Sequence, residues 1–119
     1  MKDETVIILF VLNAVLAAGG VLSAVLAALR PSALAPEGAE GAGVLFYARM
    51  YAAKAVPLCL LAAVIPFLAT GVVPGLCLLG AALSQAVDAA IGLGRRDPRQ
   101  AVGSAAATVV HTLVAVLIW

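Results

Sequence analysis

The chain has 119 residues, of which 65% are hydrophobic and 11% are charged, and its formal net charge is +1. Soluble domains are roughly half apolar and a quarter charged, and small folds bury only about 60% of the surface that the unfolded chain exposes. The composition therefore excludes an ordinary soluble domain and predicts a single transmembrane domain over residues 1–119. The small net charge provides no basic patch, so we expect no nucleic-acid partner.

Four apolar segments are long enough to cross a hydrocarbon core of roughly 30 Å. The first predicted helix covers residues 5–29 and ends at Arg30-Pro31, because proline disfavours helix in the residue before it. Its apolar run is about twice as long as a signal-peptide core, so we expect a retained helix. The other predicted helices cover residues 44–69, 75–93 and 100–119. This pattern predicts an all-α fold, an integral membrane four-helix up-and-down bundle.

The Lys and Arg residues near the helix ends predict the orientation of the chain in the membrane. The first and third loops share a face and hold four arginines, Arg30, Arg95, Arg96 and Arg99. The opposite face has Lys2 beside Asp3 and Glu4. Because short cytoplasmic loops are enriched in Lys and Arg, we expect the arginine loops in the cytoplasm and both termini outside the inner membrane of a bacterial cell.

Polar and ionisable side chains interrupt the last three apolar segments, and such residues usually face a bundle interior or a water-filled cavity. They include Arg49, Lys54, Ser84, Gln85, Asp88 and His111. Counting 1.5 Å per residue from the loop ends of the helices places them in one layer, roughly 8 to 15 Å deep. Asn13 falls in the opposite half by the same count, so the first helix is expected to serve packing.

The positions on each helix, at about 100° per residue, indicate which side chains share a face. On the fourth helix, Thr108 shares a stripe with His111, and on the third helix Ser84 shares one with Asp88. On the second helix, Tyr47, Tyr51 and Lys54 lie on one face, whereas Arg49 points nearly the opposite way. We expect Lys54 and the tyrosines to face inward and Arg49 to reach the headgroups, although the sequence leaves open which cation faces the pocket.

A carboxylate, an imidazole and an ammonium at one depth, walled by apolar helices, can tune one another's protonation. We therefore predict Asp88, His111 and Lys54 as catalytic acid–base residues. The candidate substrate-binding residues are Tyr47, Tyr51, Gln85, Ser84, Thr108 and Arg49. The Pro- and Gly-rich loop that carries Glu37 and Glu40 opens on the same side and is a candidate lid.

Purely structural roles are open for the same residues. Lys54 and Asp88 form a plain ion pair between helices in one alternative, and His111 bonds to a carbonyl across helices in another. Tyr47 and Tyr51 are also typical of the aromatic belt at a membrane interface.

The chain resembles the small four-helix, DoxX-like bacterial membrane proteins of unknown function in three places. An Arg is followed five residues later by a second basic residue, Arg49 and Lys54, an Asp lies late in the third helix, Asp88, and a His lies in the fourth, His111. In that family the second basic residue is usually Arg followed by Asp, and Lys54-Ala55 departs from this pattern. The resemblance implies a four-helix fold and no particular activity.

The sequence favours a membrane-embedded enzyme or binding protein for a lipophilic small molecule, with isomerisation, cyclisation or epoxide opening as the type of chemistry. A proton-coupled transporter or channel, and a structural subunit of a membrane complex, are the alternatives. Membrane lipids and the lipophilic molecule are the expected partners, and a homo-oligomer is possible. We expect no cofactor and no metal, because one histidine with one carboxylate is below the usual ligand count.

Overall fold

The computed structural model describes residues 3–119, so the expected contribution of Lys2 to the charge of one face lies outside the described residues. These residues form five helices and no strand: α1 (Glu4–Leu29), α2 (Pro31–Leu34), α3 (Ala42–Leu68), α4 (Val72–Gly94) and α5 (Pro98–Ile118). The predicted all-α fold is confirmed. The long helices begin or end within three residues of the predicted bounds, and α2 lies in the segment predicted as a loop.

Local sequence explains where the helices begin. Asp3 caps α1 by accepting a hydrogen bond from Thr5 N at 2.8 Å, and Asp97 caps α5 through Gln100 N at 3.2 Å. Aspartate is favoured at this position because its carboxylate satisfies a backbone N–H that has no partner within the helix. Gly71, with a φ of 115°, precedes α4, and this left-handed backbone is open to glycine at little steric cost.

The surface of the bundle is apolar along its length. Four helices, α1, α3, α4 and α5, are long and apolar enough to cross a membrane. Many large side chains are exposed on them, including Ile8, Leu22, Leu83 and Val116. The longest dimension is 51 Å, which exceeds the 40–45 Å or so of a bilayer with its headgroups. The chain is a multi-pass membrane protein.

The bundle consists of two antiparallel helix pairs. Helix α1 packs most extensively on α3 and α4 on α5, and the two pairs meet chiefly through α1 and α5. Small residues permit this approach, since a Cβ added to Gly92 would lie 2.7 Å from the backbone nitrogen of Ala101. The buried core contains Phe10, Ala17, Cys59, Ala62, Leu78, Ala81, Val110, Val114, Ala115 and Ile118.

The first and third loops meet at one end of the bundle, as predicted. Arg95 donates a hydrogen bond from Nη2 to the backbone oxygen of Leu34 at 3.4 Å, which ties the α4–α5 connection to α2. We call this the arginine end, because it carries Arg30, Arg95, Arg96 and Arg99. The opposite, terminal end carries the start of α1, the α3–α4 turn and Trp119, and there Gly71 N donates to the Ile118 oxygen at 2.6 Å.

Candidate functional site

A cavity of about 1100 Å³ lies between the two helix pairs at the arginine end. All four long helices contribute to its wall, and the segments around α2 and before α5 form its rim. Its inner part is lined by Leu16, Gly20, Gln85, Asp88 and Ala107, and its walls include Tyr47, Tyr51, Gly103 and Ser104. Sites for drug-sized molecules are roughly 300–1,000 Å³ and mostly apolar with a few polar groups, so this cavity has the size of a ligand site.

Asp88 provides the carboxylate of the inner cavity. Its side chain is neither fully buried nor exposed, and in residues 3–119 it forms no ion pair and no side-chain hydrogen bond. Its side chain lines the same cavity as Tyr51 and Gln85. Its backbone oxygen accepts a hydrogen bond from Gln100 Nε2 at 3.0 Å, which fixes α4 against the start of α5. The backbone at Asp88 is therefore held in place while the carboxylate oxygens stay available.

Gly20 allows α1, α3 and α4 to approach one another at the inner end of the cavity. A Cβ at this position would lie 2.7 Å from Cys59 Sγ on α3 and 3.8 Å from Gln85 Nε2 on α4. The first contact is closer than real Cβ atoms come, so a larger residue would displace the Cys59 side chain or α1. Gly20 thereby sets the size of the cavity where Gln85 projects.

The two tyrosines line the wall that α3 contributes. Tyr51 is 39% exposed and Tyr47 is 70% exposed. Tyr47 also meets Phe46 edge to face, with ring centroids 5.3 Å apart. Tyr51 is thus the more enclosed of the two and lies one helical turn deeper, whereas Tyr47 stands where the cavity opens to the surroundings.

Arg95 organises the rim of the cavity. Its guanidinium donates to Gln100 Oε1 at 3.1 Å as well as to the Leu34 oxygen, and it lies 4.0 Å from the Asp97 carboxylate. Gln100 in turn bonds to the backbone of Asp88. One side chain therefore connects the segment around α2, the α4–α5 connection and, through Gln100, the helix that carries Asp88.

His111 lies outside the cavity lining, in the core of the bundle. It is 1% exposed and donates from Nδ1 to Asn13 Oδ1 at 2.6 Å, while Asn13 Nδ2 donates to the Ala62 oxygen at 2.7 Å. The predicted separation of Asn13 from the polar layer is therefore wrong, since the two side chains meet at one level. The count is inexact because α5 begins at Pro98 rather than near residue 100, and from the observed ends His111 and Asn13 lie about 20 and 24 Å deep.

Lys54 does not face inward as predicted. It is exposed and absent from the cavity lining, and the ion pair with Asp88 does not form in the described chain, where Arg95–Asp97 is the pair present. The packing of α3 on α1 explains the difference. Cys59 and Ala62 define the buried face of α3, and Lys54 precedes Cys59 by five residues, which is about 140° around the helix.

The remaining predicted site residues divide between the cavity and other places. Gln85, Tyr47, Tyr51 and Glu40 line the cavity beside Asp88. Arg49 is exposed and lines a smaller cavity of about 510 Å³ between α3 and the α2 segment, together with Glu40. The others lie outside both cavities: Glu37 and Ser84 are exposed, and Thr108 bonds within α5 to the Ser104 oxygen at 2.8 Å.

The sequence interpretation missed the role of Asn13, although one signal for it was available. Pro66 has no N–H, so the carbonyl of Ala62 four residues earlier loses its helical donor. A neighbouring helix must satisfy such a carbonyl inside a membrane, and Asn13 on α1 does so. The contributions of Arg95 and Gln100 had no comparable signal, because they depend on how the loops meet.

No group of three or more His, Cys, Asp or Glu side chains within residues 3–119 is arranged to hold a metal ion. Comparison of the chain with protein-family models, with curated proteins and with solved structures finds no match.

Proposed function

We propose that the chain binds a lipophilic small molecule in the cavity at the arginine end, with Asp88 contacting its polar group. The observation that carries this proposal is a carboxylate with no ion pair in residues 3–119, on the wall of a largely apolar cavity of about 1100 Å³. Ionisable groups inside membrane proteins are costly and commonly mark functional sites. The enclosure by four helices and the polar neighbours Gln85 and Tyr51 support a ligand with one polar end.

The geometry favours a binding function over acid–base catalysis by Asp88 and His111 together. His111, the expected proton partner of Asp88, is engaged by Asn13 and does not line the cavity. An isomerisation, cyclisation or epoxide opening would therefore depend on Asp88, with Tyr51 or Gln85 to orient the substrate. Such an activity is a second proposal, for which the carboxylate and its phenolic neighbour are the support.

The core beyond the cavity argues against a path for transport. Phe10, Leu78, Val114 and Ile118 are at most 2% exposed and fill the bundle toward the terminal end. Because ions and protons need polar groups or water to cross such a layer, the arrangement supports a pocket open on one side.

Filling the cavity tests the proposal. Gly103 on α5 lines the cavity and Gly80 on α4 does not, and a Cβ added to either glycine meets nothing within 4 Å. The protein would be purified from its cells, and the lipophilic molecules retained with it would be extracted and compared by mass spectrometry. We expect Gly103→Leu to lose a compound that the wild type and Gly80→Leu retain. Equal retention by both variants would count against the cavity as the binding site.

We also propose that the arginine end faces the cytoplasm, in an inner membrane, since four arginines lie in its short loops. The ligand would then enter from the cytoplasm or the inner leaflet. Alkaline phosphatase fused after Trp119 should be active, whereas the same fusion between Arg96 and Asp97 should be inactive. The reverse pattern would refute this orientation. Membership of the DoxX-like proteins stays a proposal, supported by the spacing of Arg49, Lys54, Asp88 and His111.

A further inference from the structure

The cavity lining has more acidic than basic residues, and these residues differ in whether they form ion pairs or hydrogen bonds. Three carboxylates line it, those of Glu40, Asp88 and Asp97, against the two guanidinium groups of Arg95 and Arg99. Arg95 is held at the rim by Asp97, Gln100 and the Leu34 oxygen. Asp88 lies about 9 Å further in along α4, at 1.5 Å per residue from Gly94, and has no ion pair in residues 3–119. A carboxylate shielded from bulk water is stabilised when a cation accompanies it.

The surroundings of Asp88 suit a cation with carbon substituents. Tyr51 lines the same cavity as the carboxylate, and Tyr47 follows one turn closer to the opening. Aromatic faces attract ammonium groups and also accept their alkyl substituents. Lys54, the cation of α3 that was expected to face inward, is exposed and does not line the cavity. The place beside Asp88 is therefore open to a ligand.

We infer that the cavity selects organic cations: an ammonium group pairs with Asp88 beside Tyr51, and an apolar body occupies the space between Leu16, Gly20 and Ala107. This inference rests on the proposed binding function and specifies its ligand class. An anionic group in the place of the ammonium would be repelled by Asp88, and a neutral molecule would leave the carboxylate without a counter-charge.

Three probes with one apolar body separate charge from shape. Phenylbutylamine, phenylbutanol and phenylpentanoate present an ammonium, a hydroxyl and a carboxylate on the same phenylbutyl group. Their dissociation constants would be measured by calorimetry with the whole protein in nanodiscs of zwitterionic lipid at neutral pH, after subtraction of empty nanodiscs. We expect the amine to bind at least about tenfold more tightly than the alcohol, because the ammonium adds a Coulomb attraction to the hydrogen bond that either probe can donate to Asp88. Phenylpentanoate should bind more weakly than the alcohol, because Asp88 repels its carboxylate.

Variants at Asp88 test whether its carboxylate causes the preference for the amine. Asp88→Asn should remove the preference for the amine while the alcohol binds as before, and Asp88→Glu should retain it. The comparison of the three probes on the wild type stands even where a variant fails to fold. Equal binding of amine and alcohol, both lost in Gly103→Leu, would overturn the cation selectivity and leave the proposed binding function intact. Absence of saturable binding by all three probes would overturn both.

Discussion

Asn13 and His111, 98 residues apart, form a hydrogen bond of 2.6 Å in the centre of the bundle. The Ala62 carbonyl can only accept, so the amide of Asn13 turns its nitrogen toward Ala62 and its oxygen toward His111. His111 must then donate from Nδ1. The contact joins α5 to α1 and α1 to α3 at the carbonyl that Pro66 deprives of its helical donor. His111 is thus a structural residue that holds the two helix pairs together.

The first prediction concerns the strength of this polar contact. Asn13→Leu should lower the free energy of unfolding by about 1–3 kcal/mol, because the Ala62 carbonyl and the His111 imidazole both lose their partner in an apolar core. Unfolding in mixed micelles with increasing denaturing detergent would measure the change. Thr112→Val is the control, since the Thr112 hydroxyl bonds to the Thr108 oxygen of its own helix and joins no elements.

A double-mutant cycle with His111→Leu completes the test. Hydrogen bonds between membrane helices couple by about 0.6 kcal/mol on average and up to about 1.7 kcal/mol. We expect a coupling energy within this range for Asn13 and His111. Strictly additive effects would show that the two side chains stabilise the bundle independently.

The parts of the fold that depend on local sequence were predictable. Segment length, apolar composition and Arg30-Pro31 gave four helices with bounds within three residues of those observed. The helical period placed Gln85 next to Asp88 and Tyr47 on the face of Tyr51, and all four line the cavity, whereas Ser84 and Lys54, assigned to the same faces, do not. The grouping of residues on a face follows from helix geometry, but the part of a face that meets the cavity depends on how the helices pack.

The pairing of side chains between helices was not predictable in the same way. The contact of Asn13 with His111 depends on how α1 packs against α5, and the outward direction of Lys54 depends on which face of α3 packs on α1. The small residues at the α1–α3 contact determine the direction of Lys54. Gly20 leaves room for Cys59 of α3 and thereby fixes the rotation of α3. A single sequence contains many small residues, so it did not identify which of them form the contact.

The second prediction concerns the close contact between Gly20 and Cys59, with Gly19 as the control position. Gly20→Ala should destabilise the bundle by about 1–3 kcal/mol, the usual cost of forcing extra volume into a packed core, because the new methyl would overlap Cys59 Sγ. Gly19→Ala is the matched control, since a Cβ there meets nothing within 4 Å. Adding Cys59→Ala should restore much of the loss by removing the sulfur. A similar cost at Gly19 and Gly20 would contradict this close approach.

The third prediction concerns the rim. Arg95→Gln should loosen the segment around α2, because the bond to the Leu34 oxygen and the ion pair with Asp97 are lost together. Backbone amide exchange of Ala33 and Ala35, which donate to Arg30 and Pro31, should become several-fold faster. Arg99→Gln also removes a rim cation, but Arg99 makes no side-chain hydrogen bond or ion pair in residues 3–119, so exchange should be unchanged. Equal effects of both variants would point to charge rather than to these contacts.

The fourth prediction concerns whether Lys54 and Asp88 form an ion pair. If the two formed an interhelical ion pair, removing either partner would leave a costly charge inside the membrane. Because Lys54 is exposed on a membrane-spanning helix and unpaired in the described chain, Lys54→Met should lower the free energy of unfolding by no more than about 0.5 kcal/mol, since lipid accommodates Met better than a charge. It should also leave the affinity for phenylbutylamine unchanged, whereas Asp88→Asn removes the preference for the amine. A loss of stability in Lys54→Met that Asp88→Asn reverses would show that the pair forms in the membrane, and the cavity would then hold no free carboxylate for a cationic ligand.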